Sequence, residues 1–334
     1  MVLLEGGYAS TAVSAIEVFH SAGLLWNRLQ GTPLQPRFRV RTASIDGSPV
    51  SSACALGLVP QHAIHDIETS DIVILAAPGM DILEGAGRKT ELLDWLRRLH
   101  GQGALVAGVC SGVAYMAESG LLDGRRATTH WALADAMRQR FPKVLWDARQ
   151  FVTEDAGLLC SGGVYAGLDL SLYLVDKFCG RETALQCARS LLVSMPRTHQ
   201  HGYAVLPLTR PHDDEQVRRA EEYLQAHFAR PVSTEAIALR IGMSQRNLIR
   251  RFKAATGHLP GAYVQALRVT AAKQMLEGGS QPIQGVASGI GYEDVAFFRT
   301  LFKRHTGMTP AEYRRRFAPL NVGSGEASGP GGTR

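Results

Sequence analysis

The strongest constraint on this chain lies toward its C-terminus, where one pattern is written twice. Ile241-Gly242-Met243 is answered by Ile290-Gly291-Tyr292, and Phe252-Lys253 by Phe302-Lys303. Thr256-Gly257, Pro260 and Tyr263 are answered by Thr306-Gly307, Pro310 and Tyr313. The offset is 49 residues for the first set and 50 for the others. A repeat of this length implies two copies of one supersecondary unit, here helix, glycine-containing turn, helix. One such unit is a weak signal. Two joined by a single helix would set two recognition helices along one side, about one turn of DNA apart.

Charge supports that direction. The formal net charge is only +6, but residues 213–316 hold 16 Lys/Arg against 10 Asp/Glu, and the remainder holds 20 of each. The whole excess sits with the repeat, where it favours a polyanion through phosphate contacts. A chain of 334 residues with 45% hydrophobic content has room for two or three domains and a sizeable core. Its five cysteines are odd in number and show no paired metal spacing, which predicts a reduced, cytoplasmic protein without disulfides. No apolar run is long enough to span a bilayer, and the N-terminus lacks a signal-peptide pattern, so no membrane partner is expected.

In chain order, Met1–Leu4 predicts a short buried strand; it is abrupt for a domain start, so a few residues are expected upstream. A helix is expected from Ser10 or Thr11 to about Arg28, and another at Thr90–His100. Phe38–Ala43, Asp71–Ala77 and Ala104–Gly108 predict strands, followed by Arg149–Thr153 and Gly157–Cys160. Helices follow at Val164–Phe178 and Glu182–Ser194. Strands alternating with helices predict an α/β fold, a flavodoxin-like doubly wound parallel sheet over residues 1–195. Residues 196–212 read as a solvated linker. The pair His199 and His201 within it lacks a third ligand, so no metal is expected, nor any other cofactor. Residues 213–317 predict an all-α domain with two helix-turn-helix motifs, and the Gly/Ser/Pro-rich residues 318–334 a disordered tail.

Gly108-Val109-Cys110-Ser111-Gly112 joins a buried strand to the helix Val113–Ser119 in the form of a nucleophile elbow. A thiol there would sit at a helix N-terminus, which would lower its pKa, and His130 downstream could partner it. The same small residues are equally required wherever a strand turns tightly into a packed helix. In the repeat, Ser233 and Ser244 are expected to cap helices, with Ala236, Ile237, Leu239, Leu248 and Phe252 in one core. Val286, Ala287, Ile290, Phe298, Leu301 and Phe302 are expected in the other. Arg246, Ile249, Arg250 and Lys253 then face outward, as do Arg299, Thr300, Lys303 and Arg304. Arginine on such a face can take guanine bidentately or hold phosphate.

Residues 213–317 resemble the DNA-binding domain of the AraC/XylS regulators, through Ile241-Gly-Met-Ser, Arg251-Phe252-Lys253, Gly291-Tyr292 and Thr306-Gly307-Met308-Thr309-Pro310. The resemblance implies binding of double-stranded DNA by Gln245, Arg246, Ile249, Arg250 and Lys253, and by Val295, Ala296, Arg299, Thr300 and Lys303. One departure is that the family usually has a small polar residue then arginine where this chain has Arg299-Thr300. Val295 and Ala296 offer bases no hydrogen bonds, so phosphate and apolar contacts are expected from the second motif and most base reading from Arg246 and Arg250. Residues 1–195 resemble the class I glutamine amidotransferase-like, PfpI-type domain, through Ala77-Pro78-Gly79, the elbow, Gly120–Trp131 and Ser161-Gly162-Gly163. The order of the two domains is similar to the GlxA-like group. In enzymatic relatives a cysteine at Cys110 works with a histidine near His130 and an acid on the first helix; here Tyr8-Ala9-Ser10-Thr11 holds no acid, and Glu17 lies too far along. The resemblance therefore implies a sensor with vestigial Cys110 and His130 and no enzyme activity. A small, nitrogen-containing effector is expected in a cleft at Gly79, Cys110, Ser111 and His130, with a homodimer and RNA polymerase as further partners. The competing reading is a cysteine-dependent amidase or glyoxalase-like enzyme carrying a DNA-binding domain.

Overall fold

In the computed structural model, which describes residues 1–79, 89–194, 200, 203, 212–278 and 281–317, the chain divides into units Met1–Ala204 and Val205–Arg334. Most of the expected linker and the whole expected tail lie outside the described residues. In the first unit the apolar runs become parallel strands Ile72–Leu75, Leu105–Val109 and Leu158–Ser161, with Val152–Asp155 antiparallel at the edge. Val2 bridges Leu75 on one side and Ala43 on the other, and Ala43–Ser44 pairs with His62–Ala63, all parallel. Alternate residues of each strand face opposite cores. Val73, Leu75, Val106, Leu158 and Cys160 pack on one side with helices Thr90–Gly101 and Val113–Glu118. Ile74, Ala107, Val109 and Leu159 pack on the other with helices Ser10–Ser21 and Ala166–Ser190. A sheet buried on both faces explains the unbroken apolar runs.

Some boundaries differ from expectation. The first helix stops at Ser21 and resumes at Leu25–Leu29, with Gly23 at φ +76° between. It carries no side-chain cap; Thr11 instead donates to Tyr8 O and accepts from Ala77 N, tying the helix to the central strand. Residues 38–42 are not a strand, and Phe38 meets Phe19 edge-on at 4.9 Å. The two late helices are continuous from Ala166 to Ser190 except at Gly180, where the backbone leaves helical geometry.

In the second unit the repeat is reproduced down to single bonds. Recognition helices Gln245–Thr256 and Val295–Thr306 have side-chain caps, Ser244 and Asp294, and both end on left-handed glycines, Gly257 and Gly307. Phe252 meets Tyr263 edge-on at 5.3 Å, and Phe302 meets Tyr313 at 5.4 Å. Thr256 and Thr306 each donate to the phenylalanine carbonyl four residues back, at 2.7 and 2.8 Å. The offset changes by one because Gly242 stands two residues before its cap and Gly291 three, Glu293 being the addition. Ala236 and Leu239 correct the expected core: both are exposed, Leu239 at 83%, because the inward face of helix Thr234–Arg240 is Ile237 and Ala238.

Helix Pro260–Gly278 serves both cores, with Tyr263 and Leu267 in one and Val269, Ala272 and Leu276 in the other. At the boundary, Arg268 donates to Phe228 O at 2.7 Å, Gly291 O at 3.1 Å and Arg230 O at 3.1 Å, with its guanidinium 4.8 Å from the Tyr292 ring centre. Arg268→Met should cost about 2–4 kcal/mol in this unit, since three carbonyls lose a charged donor. Full-length protein should then exchange amides faster across residues 283–306, with strand Leu105–Val109 unchanged. Equal protection would show that packing alone holds the motifs.

Candidate functional site

At the end of strand Leu105–Val109, Cys110 takes φ +55°, a conformation that costs a non-glycine residue energy and persists only where surroundings impose it. The flanking glycines have a packing reason: a Cβ on Gly112 would lie 2.6 Å from Ala76 O, and one on Gly108 would lie 2.9 Å from Val113 Cα. The glycines are thus accounted for by packing, and the cysteine's backbone is not. Ser111 Oγ donates to Pro78 O at 3.0 Å, and Thr129 Oγ1 donates to Cys110 O at 3.0 Å. These bonds draw Pro78-Gly79, Cys110-Ser111 and Thr129-His130 together at the carboxyl ends of the strands, where open α/β sheets bind ligands. A cleft of about 480 Å³ at the opposite end, lined by Met1, Asp71 and Ala104, contains none of them.

The chemistry differs from what the elbow pattern suggests. Cys110 is 6% exposed, and burial pushes its thiol up to about 11, only partly offset by hydrogen bonds to Ser111. The helix terminus does not win, so the thiol is protonated at neutral pH. His130 Nδ1 accepts the Ala132 amide at 3.1 Å, which places the proton of the neutral ring on Nε2, and burial keeps the ring from charging. Its basic nitrogen is therefore occupied by its own backbone. Helix Ser10–Ser21 turns Ala12, Ala15 and Val18 inward and leaves Glu17 exposed.

One residue of this region was not apparent from the sequence. Gln200, expected in a solvated linker, is 2% exposed. Its Nε2 donates to Thr129 O at 2.8 Å, Gln150 O at 3.0 Å and Thr128 Oγ1 at 3.2 Å, and its Oε1 accepts from Trp131 N at 3.3 Å. It braces the loop that carries His130 from below. A Cβ on Gly162 would stand 2.7 Å from Gln200 Oε1, so glycine there admits the amide. A polar residue between histidines carries no sequence signal for burial. His199 and His201 lie outside the described residues; among those described, no group of three metal-binding side chains occurs.

The outward faces of the recognition helices carry the other candidates. Gln245, Arg246, Arg250 and Lys253 are exposed and Ile249 is half-buried. Arg250 Nη2 donates to Asn247 Oδ1 at 3.0 Å, which holds the guanidinium along the helix. Arg251 is turned away, paired with Asp214 at 2.6 Å and with Gln216 at 2.7 Å. In the second helix Ala296, Arg299, Thr300 and Lys303 are exposed and Val295 is half-buried. No ion pair among the described residues engages Arg246, Arg250, Arg299 or Lys303.

Gln200→Leu should cost about 1–3 kcal/mol, because buried partners lose their donor and acceptor. Gly162→Ala, which drives a methyl into the same amide, should act in the same direction. Calorimetry of the full-length protein would register a lowered transition in both; an unmoved transition would show the contact to be dispensable.

Comparison with known proteins agrees with this division. The DJ-1/PfpI family model matches residues 11–177, and a helix-turn-helix domain model matches residues 237–316. The chain is 26% identical to the HTH-type transcriptional regulator CdhR of Pseudomonas aeruginosa, over 94% of this chain and 90% of that one. It is 28% identical to the HTH-type transcriptional regulator GlxA of Rhizobium meliloti, over 91% of each. Isonitrile hydratase of Pseudomonas putida is 32% identical, but over only 45% of this chain and 63% of its own. A solved structure, a putative transcriptional regulator from Vibrio parahaemolyticus, covers 57% of this chain and 96% of its own at 21% identity, with a TM-score of 0.50. No helix among the described residues is long and apolar enough to cross a membrane. The chain belongs to the AraC-type transcription regulators of the GlxA-like group, with a DJ-1/PfpI domain followed by a helix-turn-helix DNA-binding domain.

Proposed function

We propose that this regulator is a cytoplasmic homodimer that reads its operator with both recognition helices and answers to a small, nitrogen-containing metabolite. The observation that carries the DNA-reading part is the duplicated motif, with Arg246 and Arg250 exposed on one helix and Arg299 and Lys303 on the other. Gln245, Ile249, Lys253, Val295, Ala296 and Thr300 complete the contact surface. The effector occupies the cleft at Gly79, Cys110, Ser111 and His130. Its class follows the family resemblance, and a thiol that burial keeps protonated favours binding over nucleophilic attack. Effector binding shifts the DNA-binding arrangement by whatever difference in affinity it has for the two states, and the bound dimer engages RNA polymerase. Gln200 offers a physical link, because the residue that braces the His130 loop belongs to the segment leading out of the first unit.

Selection from random duplex DNA with full-length protein should enrich two half-sites about one helical turn, ~10 base pairs, apart. Arg250→Ala should degrade selectivity at defined base pairs by about 1–3 kcal/mol. Binding that is salt-sensitive but blind to sequence would defeat this assignment.

The enzyme reading makes a different prediction for the thiol. Here alkylation of Cys110, followed by peptide mass spectrometry, should keep accelerating with pH and level off only near pH 11. A catalytic thiolate would instead react fully at neutral pH, from a pKa well below the ~8.5 of a free cysteine.

A further inference from the structure

We propose that the second recognition helix reads thymine C5-methyl groups, so that its half-site is specified by apolar contact instead of by donors and acceptors. The inference rests on the DNA-reading assignment above and deepens it.

Helix Val295–Thr306 buries Phe298, Leu301 and Phe302. The opposite face carries Ala296, Thr300 and Lys303, with Arg299 on its flank, by the helical period of 3.6. Ala296 ends in a single methyl. Thr300 donates its hydroxyl to Ala296 O at 3.1 Å, which satisfies the donor inside the helix and leaves the γ-methyl for outside contact. One repeat earlier, the same two positions hold Arg246 and Arg250, both exposed. The two copies therefore present the same backbone with guanidinium groups in one case and methyl groups in the other.

The helix start points the same way. Asp294 accepts the amides of Ala296 at 2.8 Å and Phe297 at 3.1 Å, so these first-turn donors are occupied and a carboxylate stands beside them. That end is unsuited to a phosphate, and the charges available to hold the backbone are Arg299, Lys303 and Arg304 farther along. Phe297, 51% exposed with its ring 5.7 Å from that of Tyr292, extends the apolar border. In the major groove thymine alone offers a methyl, and alanine and threonine methyls are the groups that meet it.

The test replaces thymine by deoxyuridine, which keeps base pairing and every hydrogen-bonding group but lacks the methyl. Operators from the selection would be substituted one thymine at a time in the second half-site, and affinity for full-length protein measured by fluorescence anisotropy. Thymine should be enriched at two positions of that half-site, and each substitution should weaken binding about fourfold, the contribution of one buried methyl. Thr300→Ser, which keeps the hydroxyl bond and loses only the methyl, should abolish the penalty at one position. Ala296→Gly should abolish it at the other. A second half-site without thymine, or uridine bound as tightly as thymine, overturns the proposal while the Arg250→Ala effect on the first half-site leaves the DNA-reading assignment standing. A selection that enriches no motif overturns both.

Discussion

The two reading heads of the second unit depend on one guanidinium. A helix end exposes carbonyls that must find donors, and Arg268 supplies donors to Phe228 and Arg230, ahead of the first motif, and to Gly291, in the turn of the second. Because the fork is planar and rigid, three acceptors on two segments constrain direction as well as distance. Tyr292 closes the other side of the plane. A lysine would bring the charge but not the geometry. The close approach is enforced again at Gly291, φ +84°, where a Cβ would stand 2.1 Å from Ala229 O. At Gly242, the equivalent turn of the first motif, a Cβ would meet nothing within 4 Å, so glycine there answers only to its φ of +71°. The second turn is thus a joint between motifs, and the first is a free corner.

In the first unit the decisive competition is between a helix terminus and burial. A terminus favours a thiolate by about 0.3–1 kcal/mol. Raising the Cys110 thiol from its ordinary value near 9 to about 11 opposes it by about 3 kcal/mol. Burial wins, because the helix behind the cysteine has only six residues and the side chain packs in the cluster of Ala15, Val18 and Phe19. The strained backbone of an elbow survives without the electrostatics that would make it a nucleophile. What remains is a buried elbow with two loops bonded to it, at Pro78 and at Thr129.

Long apolar runs and the repeat were legible in the sequence, whereas the short alternation of residues 38–42 was not a reliable sign of a strand. The central strands, the major helices, both cores of the repeat and the elbow followed from apolar runs, spacing and glycines. Two-residue strands such as Arg126–Ala127 paired with Leu145–Trp146 have no period to detect. Ala236 and Leu239 lie outside the core because a helix of seven residues admits more than one inward face. Gln200 was missed because burial of an amide is decided by carbonyls distant in sequence, those of Thr129 and Gln150, and nothing local announces them. The raised Cys110 thiol is hidden for a related reason: the pattern shows a helix terminus but not the solvent exclusion that outweighs it.

The repeat also shows why a duplicated motif can acquire two modes of recognition. What folding requires of each copy is internal: an edge-on phenylalanine–tyrosine pair, a threonine bonded back to the helix, a left-handed glycine, a side-chain cap. These are retained in both copies, and none of them lies on the outward face. Residues at that face contribute almost nothing to either core, so a change from arginine to alanine or threonine there costs the fold little. The outer faces are therefore free to diverge while the scaffold stays fixed. Arg268 then holds the divergent faces in one frame. Discrimination is strongest for such a pair, because a wrong sequence must satisfy two unlike chemistries at one spacing.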